Sequence, residues 1–474
     1  MLDIALIREK TDWVKQQIAK LNDESALSRI DRIVELDALR RETRTRIETA
    51  QAARNKLNRA MGKLRGDKSM SDDEKATRAR AAGAAVGASN YEQASKLMDG
   101  TAAVATHEVA DVKSSFDDLI RELRMMGDEI AEGFDRIGGI ESELRENMLW
   151  IPNLPHETVP VFDSEDHNVA HAPRGEFREF DFEPKPHWEL GPALDIIDFE
   201  RGVKLAGSRY YLLKGWGARL QRALISFFLD QARANGYTEL YTPYIVHSEM
   251  LYGSAQFPKF QDTVYGVADE GKYLLPTAEV AITNIHRDEI LEERDLPLNY
   301  VAHTPCFRSE KASAGRDVRG IKRVHQFEKV EMFKFTRPET SYDELEVMTR
   351  QAEQICALLD IPYRRLEIVT GDLGFSATKK YDIEMWSPGC EEWLEVSSCS
   401  NTEAFQARRA MLRYYPSSSR KTRYVHTLNG SGLAIPRVMI AIMENYQQAD
   451  GSIAIPEVLQ KYLGGADRID TNGG

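Results

Sequence analysis

The chain has 474 residues, with 62 Lys and Arg against 75 Asp and Glu, for a formal net charge of −13. That length allows two or three domains, and the acidic balance argues against unselective nucleic-acid binding. No apolar run approaches the ~18 residues of a membrane span, and the four cysteines (Cys306, Cys356, Cys390, Cys399) form no CxxC pair, which suits a reducing cytoplasm and suggests no common zinc site.

The N-terminus, MLDIALIREKTDWVK, has no basic stretch leading into an apolar one, so no targeting segment is expected. Residues 1–150 read as a helical arm. Residues 30–64 contain no proline, and Ile47, Ala50, Leu57, Met61 and Leu64 fall on one seam. A clearer seam follows at Val109, Val112, Phe116, Leu119, Leu123, Met126, Ile130, Phe134 and Ile137, stepping by three or four residues. With no third long helix nearby to complete a bundle, an antiparallel hairpin satisfies both seams. Its first helix carries nine basic residues over positions 40–65 (Arg40, Arg41, Arg44, Arg46, Arg54, Lys56, Arg59, Lys63, Arg65) against Glu42 and Glu48. Such a run is usually a solvated face, but in an acidic chain it also suits phosphate binding. Between the seams lies a tip, residues 66–106. There SMSDDEK offers Ser71 as an N-cap with Glu74 three residues on, and AAGAAVGAS suggests a short helix and a loosely packed segment.

IPNLPHETVP closes the arm as a stiff extended linker. In residues 151–474, a helix at 218–235 is joined by strand-like YTPYIV, YVAHTPCFR, VHQFEKVEMFKF, KYDIEMW and EEWLEVSS. Neither GxGxxG nor GxxxxGK[ST] occurs, which disfavours Rossmann and P-loop sites and favours an α+β domain on an antiparallel sheet. Phe307, Arg308, Ser309 and Glu310 end one strand. A basic loop with Lys311, Arg316, Arg319, Lys322 and Arg323 then leads to a returning strand that carries Phe327, pairing a phosphate clamp with a stacking platform. Towards the C-terminus, NGSGLAIPRVMIAIMENYQ reads as a glycine-bearing turn entering a helix, with Pro436 and Arg437 in its first turn.

FRSE with GRDVRGIKRVHQFEKVE resembles motif 2 of the class II aminoacyl-tRNA synthetases, and NGSGLAIPRVMIAIMENYQ resembles motif 3. YTPYIV, with Pro243, resembles motif 1, the dimer-forming segment of that class. PTAEV (276–280), EVSSCSN (395–401), HWELG (187–191), the opening MLDIALIRE and the proline-rich linker resemble the seryl-tRNA synthetases in particular. Order and spacing are preserved over nearly the whole chain except the tip.

The resemblance implies a tRNA-binding hairpin and a class II catalytic domain in a homodimer that activates serine with ATP and charges tRNA(Ser), leaving tRNA(Sec) open as a second acceptor. It implies that Thr277, Ala278 and Glu279 shape the pocket for the serine amino group, with Glu331 and Ser431 contributing. It places Arg308, Ser309 and Glu310 on ATP, and Val324 and Phe327 at the adenine. It assigns Glu395, Val396, Ser397 and Ser398 to the rest of the nucleotide site, Glu395 and Ser398 holding Mg²⁺, and it sends Arg437 to the terminal phosphates. Arg308, Arg437 and Glu395 are the implied catalytic residues, and no zinc is expected. The family usually has glycine before the motif 3 arginine, so Pro436 puts the local backbone path in question. Two alternatives stay open: a paralogue that loads a non-tRNA acceptor, and a helical scaffold with a relic site.

Overall fold

A helix with one apolar seam is stable only when a partner covers that seam. The computed structural model describes residues 1–104, 112–311 and 319–471, which divide into Ser28–Met148 and a larger unit, Met1–Leu27 with Leu149–Gly474. The arm therefore begins at Ser28, where residue 1 was expected. The first 27 residues belong to the larger unit, where Ile7, Val14 and Ile18 are fully buried and the terminal amino group donates to the Phe405 carbonyl.

In the arm, α1 (Glu24–Gly66) and α4 (Val112–Leu149) bury Ile47, Leu57 and Leu64 against Phe116, Leu119, Leu123, Met126, Ile130 and Ile137. Phe134 departs from the expected seam and is 51% exposed. Gly133 takes the inward place, because an added Cβ there would come within 2.5 Å of Ile47. Val109 and the side chain of Val112 lie outside the described residues. The tip is more ordered than its small residues suggest. Ser71 caps α2 (Asp72–Gly87) by accepting from the Glu74 N–H at 3.2 Å, and Asn90 caps α3 (Tyr91–Met98). AAGAAVGAS is mostly helix. Its Ala82 and Val86, together with Ala79, Ala94 and Leu97, join the arm's apolar cluster, and a Cβ on Gly83 would touch the Leu119 backbone at 3.4 Å. Small side chains here permit close helix packing, where the sequence suggested looseness.

The larger unit is built on eight strands: β1 (Val169–Ala170), β2 (Thr238–Leu240), β3 (Leu298–Phe307), β4 (Gln326–Thr336), β5 (Tyr363–Glu367), β6 (Lys379–Ser387), β7 (Glu392–Asn401) and β8 (His426–Ala434). Their order is β1-β5-β6-β7-β8-β4-β3-β2, antiparallel except for β2 beside β3. Short helices α5 (His187–Ala193), α7 (Glu279–Asn284) and α9 (Phe405–Ala410) accompany three longer ones: α6 (Trp216–Ala234), α8 (Ser341–Leu358) and α10 (Ile435–Asn445). The three longer helices cover one face of the sheet, packing against Val330, Met332, Ile383 and Val396.

Two expected elements differ. In YTPYIV, Pro243 interrupts pairing; β2 ends at Leu240 and Ile245–His247 joins a separate small sheet. NGSGLA is the end of β8 and not a turn: a Cβ on Gly430 would meet Met348 Sδ at 2.5 Å, so the glycine lets α8 lie close to the sheet. The proline-rich linker is pinned down, with Ile151 fully buried and Asn153 donating to the carbonyls of Phe375, Ser376 and Thr402. All four cysteines are unpaired. Burial raises their thiol pKa values, those of Cys390 and Cys399 to about 12. No helix among the described residues is long and apolar enough to cross a membrane.

The seam makes a discriminating prediction. Ile137→Ala should destabilise the arm by about 2–4 kcal/mol, whereas Phe134→Ser should change it by less than about 0.5 kcal/mol. Denaturant titration followed by helical circular dichroism compares them, and equal losses would contradict the observed face.

Candidate active site

Side chains alternate along a strand, so β4 sends Val330 and Met332 to the helix-covered core and Phe327, Lys329 and Glu331 the other way. On that side they line a cavity of about 340 Å³. Thr277 and Glu279 enter it at the start of α7, Arg308 just past the end of β3, and Glu395 and Ser398 from β7. Asn429 and Ser431 enter from β8 and Arg437 from the first turn of α10.

One part of the cavity holds buried charge. Lys329 Nζ lies 2.5 Å from Glu331 Oε2 and donates to Thr277 Oγ1 at 2.8 Å. Ser431, opposite Glu331 in the β4–β8 register, donates to the same carboxylate at 3.5 Å. Glu279 Oε1 accepts from Gln406 at 2.6 Å and from Asn429 at 3.0 Å. Burial, reinforced by the like charge of Glu331, pushes Glu279 up to about 7, while Lys329, the Gln406 bond and Arg308 work against the shift.

The rest is organised around two arginines. Arg308 donates through Nε to the Pro276 carbonyl at 3.2 Å and stands over the Phe327 ring, 5.3 Å from its centroid. Arg437 donates through Nε to the Lys322 carbonyl at 3.2 Å and through Nη1 to the Glu395 carbonyl at 2.6 Å, with the Glu395 carboxylate 3.5 Å away. Desolvation opposes ionisation of Glu395, but Arg437, Lys380, Arg308 and Arg323 outweigh it and hold the carboxyl below its usual range. Beside Ser398, Asp382 is pushed up to about 7 by burial, with Lys380 opposing and Glu395 adding to the shift. The Glu395 carboxylate and Ser398 hydroxyl are hard oxygen donors that fit a magnesium ion shared with phosphates.

Of the sequence-expected residues, Thr277, Glu279, Glu331 and Ser431 line the cavity. So do Arg308, Glu310, Val324, Phe327, Glu395, Val396, Ser398 and Arg437. Three others do not. Ala278 is fully buried in an apolar cluster with Ala302 and Phe333. The Ser309 hydroxyl donates to the Asp262 carbonyl at 3.0 Å, and the Ser397 hydroxyl donates to the Ser431 carbonyl, joining β7 to β8. Arg316 lies outside the described residues. Pro436 is accommodated in the first turn of α10, where no N–H is needed. The irregularity falls earlier, at a bulge in β8 where Leu433 has φ 103°. Lys329, Asn429 and Gln406 were not anticipated. Lys329 was accessible from strand alternation, since it stands between Phe327 and Glu331 on one face; Gln406 comes from a remote helix and left no signal.

In the arm, much of the basic run is internally engaged. Arg40 and Arg41 pair with Asp37, Arg44 with Glu141, and Arg54 donates to the Leu123 carbonyl. Arg46 and Lys63 are exposed. Arg41 and Arg46 border an open groove of about 680 Å³ that Ser89 and Tyr91 of the tip also line.

The antiparallel sheet, the arginine-flanked cavity and the helical arm have known counterparts. Residues 265–446 match the family described as the tRNA synthetase class II core domain (G, H, P, S and T), which defines the class. Residues 1–105 match the seryl-tRNA synthetase N-terminal domain. A serine--tRNA ligase of Roseiflexus sp. (strain RS-1) is 50% identical over 469 residues, covering 99% of each chain. Seryl-tRNA synthetase from Pyrococcus horikoshii, solved complexed with ATP, superposes with a TM-score of 0.82 at 35% identity, covering 99% of each chain. The cytoplasmic enzyme of Naegleria fowleri, in complex with AMP, gives 0.77 at 28% identity, covering 100% of this chain and 99% of its own. The chain belongs to the seryl-tRNA synthetase family.

The buried charge cluster predicts a pH-dependent defect. Lys329→Met leaves Glu331 without its paired cation and Glu279 with only Arg308 and the Gln406 bond opposing its shift, and should cost about 3 kcal/mol. Glu279 already titrates above an unfolded carboxyl, so its ionisation takes stability away as pH rises. Removing Lys329 raises that pKa further, and the deficit should widen above pH 7. Denaturation midpoints at pH 6 and pH 8 test this; a constant deficit would mean that Lys329 contributes packing alone.

Proposed function

We propose that this cavity joins L-serine to ATP as seryl-adenylate and then passes the seryl group to the 3′ end of tRNA(Ser). The observation that carries the reading is the position of Arg308, within electrostatic range of both Glu279 and Glu395. A guanidinium there can meet an amino-acid carboxylate and an α-phosphate together. Glu279, which ionises as the pH passes through neutrality, receives the serine ammonium beside Thr277, and Glu331 with Ser431 takes the hydroxyl. The adenine stacks on Phe327 next to Val324. Arg437 takes the terminal phosphates.

A serine carboxylate oxygen attacks the α-phosphorus, the bond to pyrophosphate breaks, and pyrophosphate leaves. The terminal ribose hydroxyl of tRNA then attacks the adenylate carbonyl and AMP departs. No protein nucleophile is needed; Arg308 and Arg437 hold the reactants in line and neutralise growing charge. Mg²⁺, held by Glu395 and Ser398, supplies further neutralisation of the phosphates when bound.

The arm binds the acceptor, with phosphates following the groove beside Arg41 and Arg46. Asp37 is buried but pairs with both Arg40 and Arg41, so the exposed Arg41 can turn to RNA while Arg40 keeps that carboxylate compensated. A homodimer formed through motif 1 is supported by Tyr241 and Ile245, which flank Pro243 with 87% and 48% exposure. A cytoplasmic location is supported by the four unpaired cysteines. A non-tRNA acceptor has no support in these features or in the relatives.

Pyrophosphate exchange should depend on serine, with alanine near background, since buried groups committed to a hydroxyl discriminate by roughly 10⁴–10⁵. Arg308→Ala and Arg437→Ala should each lower exchange by about 10²–10³ without unfolding the protein. Lysine should rescue neither, lacking the planar fork. Near-normal exchange in either variant would remove that residue from the mechanism.

Deleting residues 30–147 with a short linker should leave exchange near normal but severely reduce charging of tRNA(Ser), with tRNA(Sec) tested alongside. The lost affinity should be steeply salt-dependent in the full-length enzyme. Charging that survives the deletion would refute the arm's role.

A further inference from the structure

HWELG contributes nothing to the lining of the cavity, yet its histidine, His187, is fully buried at the start of α5. The roles of its two ring nitrogens can be assigned. Nε2 lies 3.1 Å from the backbone N–H of Ile321. An amide N–H only donates, so Nε2 accepts, and the ring proton sits on Nδ1, which donates to Glu444 Oε1 at 2.9 Å. Burial holds His187 below its usual range despite the carboxylate, so the ring is neutral.

Glu444 is a meeting point. It also accepts from the His187 N–H at 2.9 Å, the Cys390 N–H at 3.0 Å, the Cys390 thiol at 3.2 Å and the Ser387 hydroxyl. Burial opposes its ionisation, but these bonds hold its carboxyl below the usual range. His187 Nδ1, Cys390 Sγ and Glu444 Oε1 lie within 4.8 Å of one another, as metal ligands can. Each is already engaged in a hydrogen bond, which favours a purely hydrogen-bonded hub.

Glu444 stands seven residues beyond Arg437 on α10, two turns along the same face. Arg437 holds the Lys322 carbonyl directly, and Glu444, through His187, holds the neighbouring Ile321 N–H. One helix thus grips two adjacent residues of the segment that leads to Arg323 and Val324 in the cavity. Gly320 allows the approach: its φ is 72°, and a Cβ there would come within 1.9 Å of His187 Nε2.

We infer that His187 is a positioning residue for ATP, accepting the Ile321 N–H so that the returning limb of motif 2 stands in register with Arg437. The inference rests on the assignment of ATP to this cavity. In His187→Asn the amide nitrogen can replace Nδ1 towards Glu444, but the side chain is too short to reach Ile321. In His187→Gln an oxygen can reach it.

In pyrophosphate exchange, His187→Asn should raise KM for ATP about tenfold, the equivalent of one net hydrogen bond, with KM for serine unchanged. His187→Gln should recover most of the loss, and Gly320→Ala, whose Cβ would collide with the imidazole and part it from the segment, should reproduce the ATP-selective rise. A wild-type KM for ATP in His187→Asn, an equal rise for serine, or a Gln variant no better than Asn would overturn the inference. So would a stoichiometric metal in the purified enzyme that His187→Asn loses. If His187→Asn does not fold, the Gln and Gly320→Ala variants carry the test. Should Arg437→Ala retain exchange, the ATP assignment itself fails, a result distinct from any of these.

Discussion

Strand register governs the site. β4 is paired with β3 and β8 so that Glu331 faces Ala302 on one side and Ser431 on the other. A slip of one residue would turn Phe327, Lys329 and Glu331 into the helix-covered core and bring Val330 and Met332 to the cavity. Burying charge in that core is far more costly than burying methyl groups, so the hydrophobic contacts behind the sheet also fix the polar chemistry in front of it. The bulge at Leu433 then adjusts β8 so that Ser431 and the start of α10 both address the cavity.

Within that frame the charges are arranged to compensate one another only in part. Lys329 offsets Glu331 but leaves Glu279 near the midpoint of its titration at neutral pH. Arg437 and Glu395 form the opposite case, a carboxylate kept ionised by several cations. A ligand carrying an ammonium at one end and phosphates at the other would complete both balances.

The strands of the sheet and the helices of the arm were legible because alternation and heptad-like steps are local properties. Where local rules admitted two outcomes, tertiary contact chose. A step of three or four residues permits either Gly133 or Phe134 on the seam, and Ile47 decides for glycine. Glycines in NGSGLA look like a turn until Met348 is placed above Gly430. The motif residues of the cavity were accessible through family resemblance and Lys329 through alternation. The bonds from Gln406 to Glu279 and from His187 to Glu444 join positions 127 and 257 residues apart, and no pattern in the intervening sequence announces them.

The state of the cysteines has a practical side. Cys306, Cys356 and Cys399 are buried, the Cys390 thiol donates to a carboxylate, and all four have raised pKa values. Only the thiolate is an effective nucleophile, so the native protein offers alkylating reagents little to attack. A cysteine introduced at an exposed arm position such as Phe134 would be the one readily labelled thiol, and a fluorophore could be attached there without first removing the natural four.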